Sequence, residues 1–146
     1  MSVANLAELP AWAAELVEDA RVARLGLLDE QGRPRVLPIT FAVAQGQIWS
    51  AVDEKPKRAA GQELARVRFL RRDPRAAITV DRYSEKWAEL AWVQILGSVT
   101  IVQRDDAPTG LAALTAKYPP YRESRPPGPL LALNPDRCLF WRARAP

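Results

Sequence analysis

Residues 22–52 run VARLGLLDEQGRPRVLPITFAVAQGQIWSAV, and this stretch decides the fold class. Three apolar, strand-like segments are separated by short polar turns: Val22 to Leu28, then Asp29-Glu30-Gln31-Gly32, Val36 to Val43, then Ala44-Gln45-Gly46-Gln47, and Ile48 to Val52. Glycine-containing links this short join neighbouring antiparallel strands, because a parallel return needs a long crossover. Asp29-Glu30 is read as turn chemistry.

Working outward, residues 6–20 place Leu9, Trp12, Leu16 and Ala20 at helical spacing, with Pro10 where a first-turn proline is tolerated. Residues 59–71 set Leu64, Val67 and Leu70 in an apolar stripe among Arg66, Arg68, Arg71 and Arg72, which predicts an amphipathic helix ended by Asp73-Pro74. Ala76 to Val80 and Leu90 to Val102 read as a fourth and fifth strand, with Gly97 as a candidate bulge or kink. Between them, residues 83–89 form a polar loop carrying Trp87. Asp106-Ala107-Pro108 opens a further helix, with Asp106 as its cap, running to about Tyr118. The stretch 119–129, holding Pro119, Pro120, Pro126, Pro127 and Pro129, is expected to be an ordered loop, and Leu139 to Ala143 is expected to be a sixth strand. The fold class that follows is mainly β (α+β), a single domain over 1–146. It is a six-stranded antiparallel barrel with flanking helices, closure being the way to remove exposed strand edges.

Composition narrows the chemistry. The chain has 146 residues, no histidine, one cysteine and a formal charge of +4. Without histidine, Ser-His-Asp and Cys-His catalysis and imidazole metal sites are excluded, and zinc is disfavoured. Acid–base work falls to Asp, Glu, Lys, Tyr or a cofactor. Cys138 has no partner for an intrachain disulfide, which fits a reducing compartment; residues 1–20 show no basic signal-peptide n-region, and a cytoplasmic location is expected. No apolar stretch approaches the roughly 20 residues of a membrane span. The arginines of 66–72 have no aromatic platform beside them, so they read as a solvated face and no nucleic-acid partner is expected.

The densest candidate site is Asp53-Glu54-Lys55-Pro56-Lys57-Arg58, between a strand and a helix start. Lys57 and Arg58 there suit an anion shared with a helix N-terminus, but the residues alone favour a solvated turn paired with Asp53 and Glu54. Of five tryptophans, Trp12 is assigned to the core and Trp49 to either strand face, while Trp87, Trp92 and Trp141 could line a planar-ligand pocket or an interface as well as a core. No glycine-rich phosphate loop is present.

These segments, in this order, resemble the pyridoxamine 5′-phosphate oxidase-like, flavin-binding split-barrel superfamily. The resemblance runs from about Val22 to Trp141. It is carried by Ala23-Arg24-Leu25-Gly26, Gly32-Arg33-Pro34-Arg35, Leu37 to Val43, Ala51-Val52-Asp53 with Lys55 to Arg58, Asp73-Pro74-Arg75-Ala76, Asp81-Arg82-Tyr83, Trp87 with Leu90 to Val93, Gly97, and Phe140-Trp141-Arg142. Within the superfamily the chain is similar to the group of deazaflavin (coenzyme F-420)-dependent enzymes.

The resemblance implies a homodimeric oxidoreductase that transfers hydride between coenzyme F-420 and a small organic substrate. FMN is the alternative cofactor, and a non-catalytic flavin or deazaflavin carrier the alternative role. It implies ring and ribityl contacts at Arg35, Pro38, Ile39, Thr40, Ala51 and Val52, phosphate contacts at Lys57 and Arg58 with Lys55, and further contacts at Trp92 and Trp141. Trp92 stands where the oxidases carry a glutamine. The histidine-containing segment that grips the vitamin phosphate is missing, so vitamin B6 oxidation is not expected. Candidate proton donors are Tyr83, Tyr121, Lys55 or solvent.

Overall fold

The computed structural model describes residues 1–52 and 64–144. Lys55, Pro56, Lys57 and Arg58, and the first residues of the helix expected over 59–71, lie outside the described residues. The strands are β1 (Ser2–Val3), β2 (Ala23–Leu28), β3 (Pro34–Ile39), β4 (Ala42–Ala44), β5 (Gln47–Ala51), β6 (Arg75–Arg82), β7 (Ala91–Val102) and β8 (Leu130–Arg142). The helices are α1 (Ala11–Asp19), α2 (Ala65–Arg72), α3 (Pro108–Lys117) and α4 (Pro119–Glu123). All pairings are antiparallel, in the order β3-β2-β6-β7-β8-β5-β4, with β1 on β8.

The two ends of that order, β3 and β4, are consecutive in the chain and joined only by Thr40-Phe41. The three Cα–Cα steps from Ile39 to Ala42 span at most about 11 Å. The sheet must therefore curl until its outer strands meet, which makes a barrel split between β3 and β4. The expected strand Val36 to Val43 is thus two strands. At the break, Ser50 Oγ donates to Thr40 O (2.7 Å) and Phe41 N donates to the Tyr118 hydroxyl (3.1 Å), so side chains replace the ladder bonds.

The barrel interior is filled by Leu25, Leu27, Ile39, Ile48, Ile78, Val80, Val93, Ile95, Leu133 and Phe140, with Ala13 and Val17 of α1 and Val67 and Leu70 of α2 packed on them. A second, smaller cluster lies outside the barrel wall, where Ala42, Trp49, Ala51, Leu130 and Ala132 meet Ala107 and Leu114. Gly110 lets the Trp49 ring lie against the α3 backbone; a Cβ there would collide with the indole.

Several expected elements differ. The helix over 6–20 breaks at Pro10 into a 3-10 turn (Leu6–Glu8) and α1, as a proline's missing N–H and fixed φ require. Asp106 sits in a 3-10 turn (Arg104–Asp106), and Ala107, not Asp106, caps α3 without a side-chain bond. The proline-rich stretch begins with α4, whose Pro119 and Pro120 occupy the first helical positions.

The last strand starts at Leu130, not Leu139. Asn134-Pro135-Asp136, inside this strand, is accommodated by a register shift opposite Leu96/Gly97. Gly97 permits it, because a Cβ there would strike the Asn134 carbonyl. Of the turns, Asp29 behaves as read. Its buried carboxylate accepts from Gln31 N (3.0 Å), Arg33 N (2.9 Å) and Arg33 Nε (3.1 Å). The Arg33 backbone bond leads in holding its carboxyl below the usual carboxylate range.

Candidate functional site

Strand alternation sorts the candidate residues by face. On β7, Val93 and Ile95 are buried in the core, so Trp92, Gln94 and Leu96 point outward; pairing carries that face to Trp141, Leu139 and Arg137 of β8. The same register carries it through Asp81, Thr79 and Ala77 of β6 to Arg24 and Gly26 of β2, and then to Val36 and Pro38 of β3. One outer surface thus runs from the two tryptophans to the strand carrying Arg35 to Thr40.

No helix covers this part of the wall among the described residues. Val36 is 72% exposed, Trp92 38% and Trp141 46%. Trp92 and Trp141 are register partners, so the two side chains leave neighbouring strands on the same face. Shallow relief between them and β3 comes from small residues: a hollow of about 310 Å³ is lined by Gly26, Ala77, Pro34, Val36, Leu96, Arg35 and Arg75 among others.

The candidate contacts divide into three kinds. Arg35, Pro38, Trp92 and Trp141 are exposed and can meet a ligand with their side chains. Arg35 Nη1 lies 4.0 Å from Asp29 Oδ2. Ile39, Ala51 and Val52 are core residues, 5%, 4% and 3% exposed. Only their main chain could reach a ligand, and Ala51 is already paired with Leu130 and Val52 N with Pro129 O. Thr40 stands between these groups: half-buried, with its hydroxyl 2.7 Å from the Tyr121 hydroxyl.

Lys57, Arg58 and Lys55 fall outside the described residues. Trp87 is exposed on a 3-10 turn (Trp87–Glu89), and Tyr83 is exposed as well. Trp12 packs on the core edge-on to Phe140, and Trp49 is buried under α3, with Nε1 donating to Ala44 O (3.1 Å).

Sequence reasoning missed the grip on the β3–β4 break. Lys117, Tyr118 and Tyr121 all converge there. The Tyr118 hydroxyl accepts from Phe41 N and lies 2.8 Å from Arg21 O and 3.0 Å from Phe41 O as possible acceptors for its own proton; burial raises its pKa. Lys117 Nζ lies 3.9 Å from the Phe41 ring centroid and is lowered to about 8, first by burial and then by Arg21. The available signal was Lys117-Tyr118-Pro119-Pro120-Tyr121 itself. Two prolines at a helix start fix the separation of two phenols, whose rings meet at 5.6 Å. Cys138 is buried, its thiol pushed up to about 11 by burial, and is chemically quiet.

The arrangement offers an apolar shelf with two indoles for a ring plane, a hydroxyl pair for a polar edge, and guanidinium groups for an anionic part. Among the described residues no cluster of metal-ligating side chains occurs.

A family model described as Pyridoxamine 5′-phosphate oxidase matches residues 9–142. No curated protein matches the chain significantly. Among solved structures the chain is similar to a conserved hypothetical protein from Mycobacterium tuberculosis (19% identity, TM-score 0.74, covering 92% of this chain and 84% of that one). It is also similar to a heme-binding protein from Mycobacterium smegmatis (19%, 0.73, 94% and 57%) and a FAD-binding protein from Mesorhizobium loti (15%, 0.65, 90% and 96%). At these identities the likeness carries the fold.

Proposed function

Because the chain belongs to the pyridoxamine 5′-phosphate oxidase family, we propose that it is an oxidoreductase holding deazaflavin coenzyme F-420 on its open outer face, between two copies of the chain. The observation that carries this reading is the exposed Trp92–Trp141 pair at one end of a face whose other end is the Arg35–Thr40 strand. From β3 to β7 is three strand spacings, about 14 Å along the sheet. That is too far for one tricyclic ring to touch both from a single chain. A second copy turned face to face supplies the indoles of one protomer to the strand of the other, and covers Val36 as well.

In this arrangement Arg35, Pro38 and Thr40 of one protomer and Trp92 and Trp141 of its partner hold the ring region, and Lys57 and Arg58, with Lys55, hold the phosphate. A bound deazaflavin supplies the hydride chemistry. The chain's own part is to orient, to exclude water with its indoles, and to hold a proton. The Tyr121–Thr40 hydroxyl pair, 2.7 Å apart, can hold one at the edge of the proposed site. The deazaflavin, with its anionic tail, is favoured over FMN by the basic edge of the face: Arg24 and Arg137 against Asp81, with Arg75 already paired to Asp73. FMN in the same place is the second reading, supported by the FAD-binding description of the Mesorhizobium loti protein. A heme reading has no imidazole to offer as an axial ligand, and its one thiol is buried.

Fluorescence titration of the purified chain with F-420 and with FMN is the test. Submicromolar F-420 binding with weaker FMN binding is expected. The reverse order transfers the assignment to FMN, and binding of neither removes the cofactor reading. Tight F-420 binding with no turnover of any substrate in a broad panel would leave a carrier.

A further inference from the structure

A groove of about 970 Å³ opens between the start of α1, the 3-10 turn at Trp87–Glu89 and the end of β8. Its walls are aromatic. Trp12 meets Phe140 edge-on with ring centroids 6.0 Å apart, and Trp141 lines the same space. Its charge is one-sided. Arg82, Arg142 and Arg144 line it against a single carboxylate, Glu89. That carboxylate is already engaged, accepting from Ser84 Oγ (2.9 Å) and lying 3.9 Å from Lys86 Nζ.

Arg82 is tethered through Nε to Glu89 O (2.9 Å), which leaves its terminal nitrogens for other acceptors. The Arg142 guanidinium stands 5.1 Å from the Trp12 ring centroid. Among the described residues no carboxylate pairs with Arg82, Arg142 or Arg144.

Indoles offer broad faces to a flat apolar body, guanidinium groups offer paired donors to a carboxylate, and the size is that of a small-molecule pocket. A free inorganic anion would leave the aromatic walls unused, and a neutral ring would leave the guanidinium charge unmet. We propose that this groove binds a small planar aromatic carboxylate. Because Trp141 lines both the groove and the proposed cofactor face, this ligand is assigned as the substrate; that last step rests on the proposed function, whereas the binding does not.

Calorimetric titration of the full chain, without added cofactor, with indole-3-acetate and its neutral isostere indole-3-acetamide tests the binding. The carboxylate should bind at least about tenfold more tightly, with the preference shrinking as salt rises. Arg142→Gln and, separately, Arg82→Gln should lower carboxylate affinity and leave the amide unchanged, with melting curves recorded to confirm folding. Equal affinity for the two probes overturns the proposal on the unmodified protein alone, and so does unchanged carboxylate affinity in both folded variants. If the carboxylate preference holds while neither F-420 nor FMN binds, the groove stands and the cofactor reading falls. If a cofactor binds and the preference is absent, the groove assignment alone falls.

Discussion

The outer wall of the barrel has two halves built on the same alternation and treated oppositely. Over β4, β5 and the start of β8, outward residues Ala42, Trp49, Ala51 and Ala132 are sealed by α3 through Leu114, with Gly110 trimmed so that helix and indole touch. Over β3, β2, β6, β7 and the end of β8, outward residues Val36, Trp92 and Trp141 meet solvent. The chain thus carries its own cover for one half and none for the other among the described residues. An exposed pair of indoles beside apolar strand positions marks an interaction surface. The contrast gives the first half a cover of the chain's own and leaves the second open, as the proposed recognition face.

The largest expected effect breaks the covered half. Leu114 is fully buried, and Leu114→Ala removes the anchor of α3 over Trp49. The loss should be about 2–5 kcal/mol, read by urea unfolding. A loss near zero would mean that α3 does not act as a structural cover.

The open half should answer in the other way. Val36→Arg alters an exposed position with no core contact, so monomer stability should change by no more than about 0.5 kcal/mol. If two copies meet on this face, sedimentation should show dimer giving way to monomer, and cofactor affinity should fall with it. A dimer that survives Val36→Arg unchanged would move the interface elsewhere and with it the shared site.

Local patterning carried much of this into the sequence. Alternation in β2 and β7 and the Asp29–Gly32 turn are decided by neighbours within a few residues, and they are where the sequence puts them; the irregularity expected at Gly97 is at that register, but its extra residue is Asp136 on the facing strand. What was illegible depended on partners far along the chain. Thr40-Phe41 reads as strand interior and becomes the barrel split because Tyr118 and Tyr121, some 80 residues on, satisfy its polar groups. Leu130 to Asp136 is hidden by a proline that only the facing Gly97 makes tolerable in a strand.

For the candidate site the exposed residues were the legible ones. Trp92 and Trp141 could be named, but not that they are register partners, and Trp12 gave no sign of lining a groove. Ile39, Ala51 and Val52 were named from resemblance, which does not distinguish a side chain facing the core from one facing a ligand.

The smallest effect concerns the seam between the halves, where Lys117 lies over Phe41. Its Nζ is closed to solvent and, among the described residues, has no hydrogen-bond partner. Burial, and then Arg21, lower its pKa from 10.5 to about 8, against the opposing pull of Glu18 and Asp19. Tyr118, the other titratable group on it, is raised and stays protonated through most of this range. Between pH 8 and 10.5 the unfolded chain therefore holds a proton that the folded chain has released, so stability rises with pH across that window and is flat below it. Although its Nζ is closed, Lys117 as a residue is only half-buried, and screening reduces the gain to about 1 kcal/mol or less. Lys117→Met should abolish the rise, read as the difference between wild-type and variant melting temperatures from pH 7 to 10, in which the other titrating groups cancel. A difference constant with pH would mean that the ammonium reaches water, and that the seam is looser than the covered half it borders.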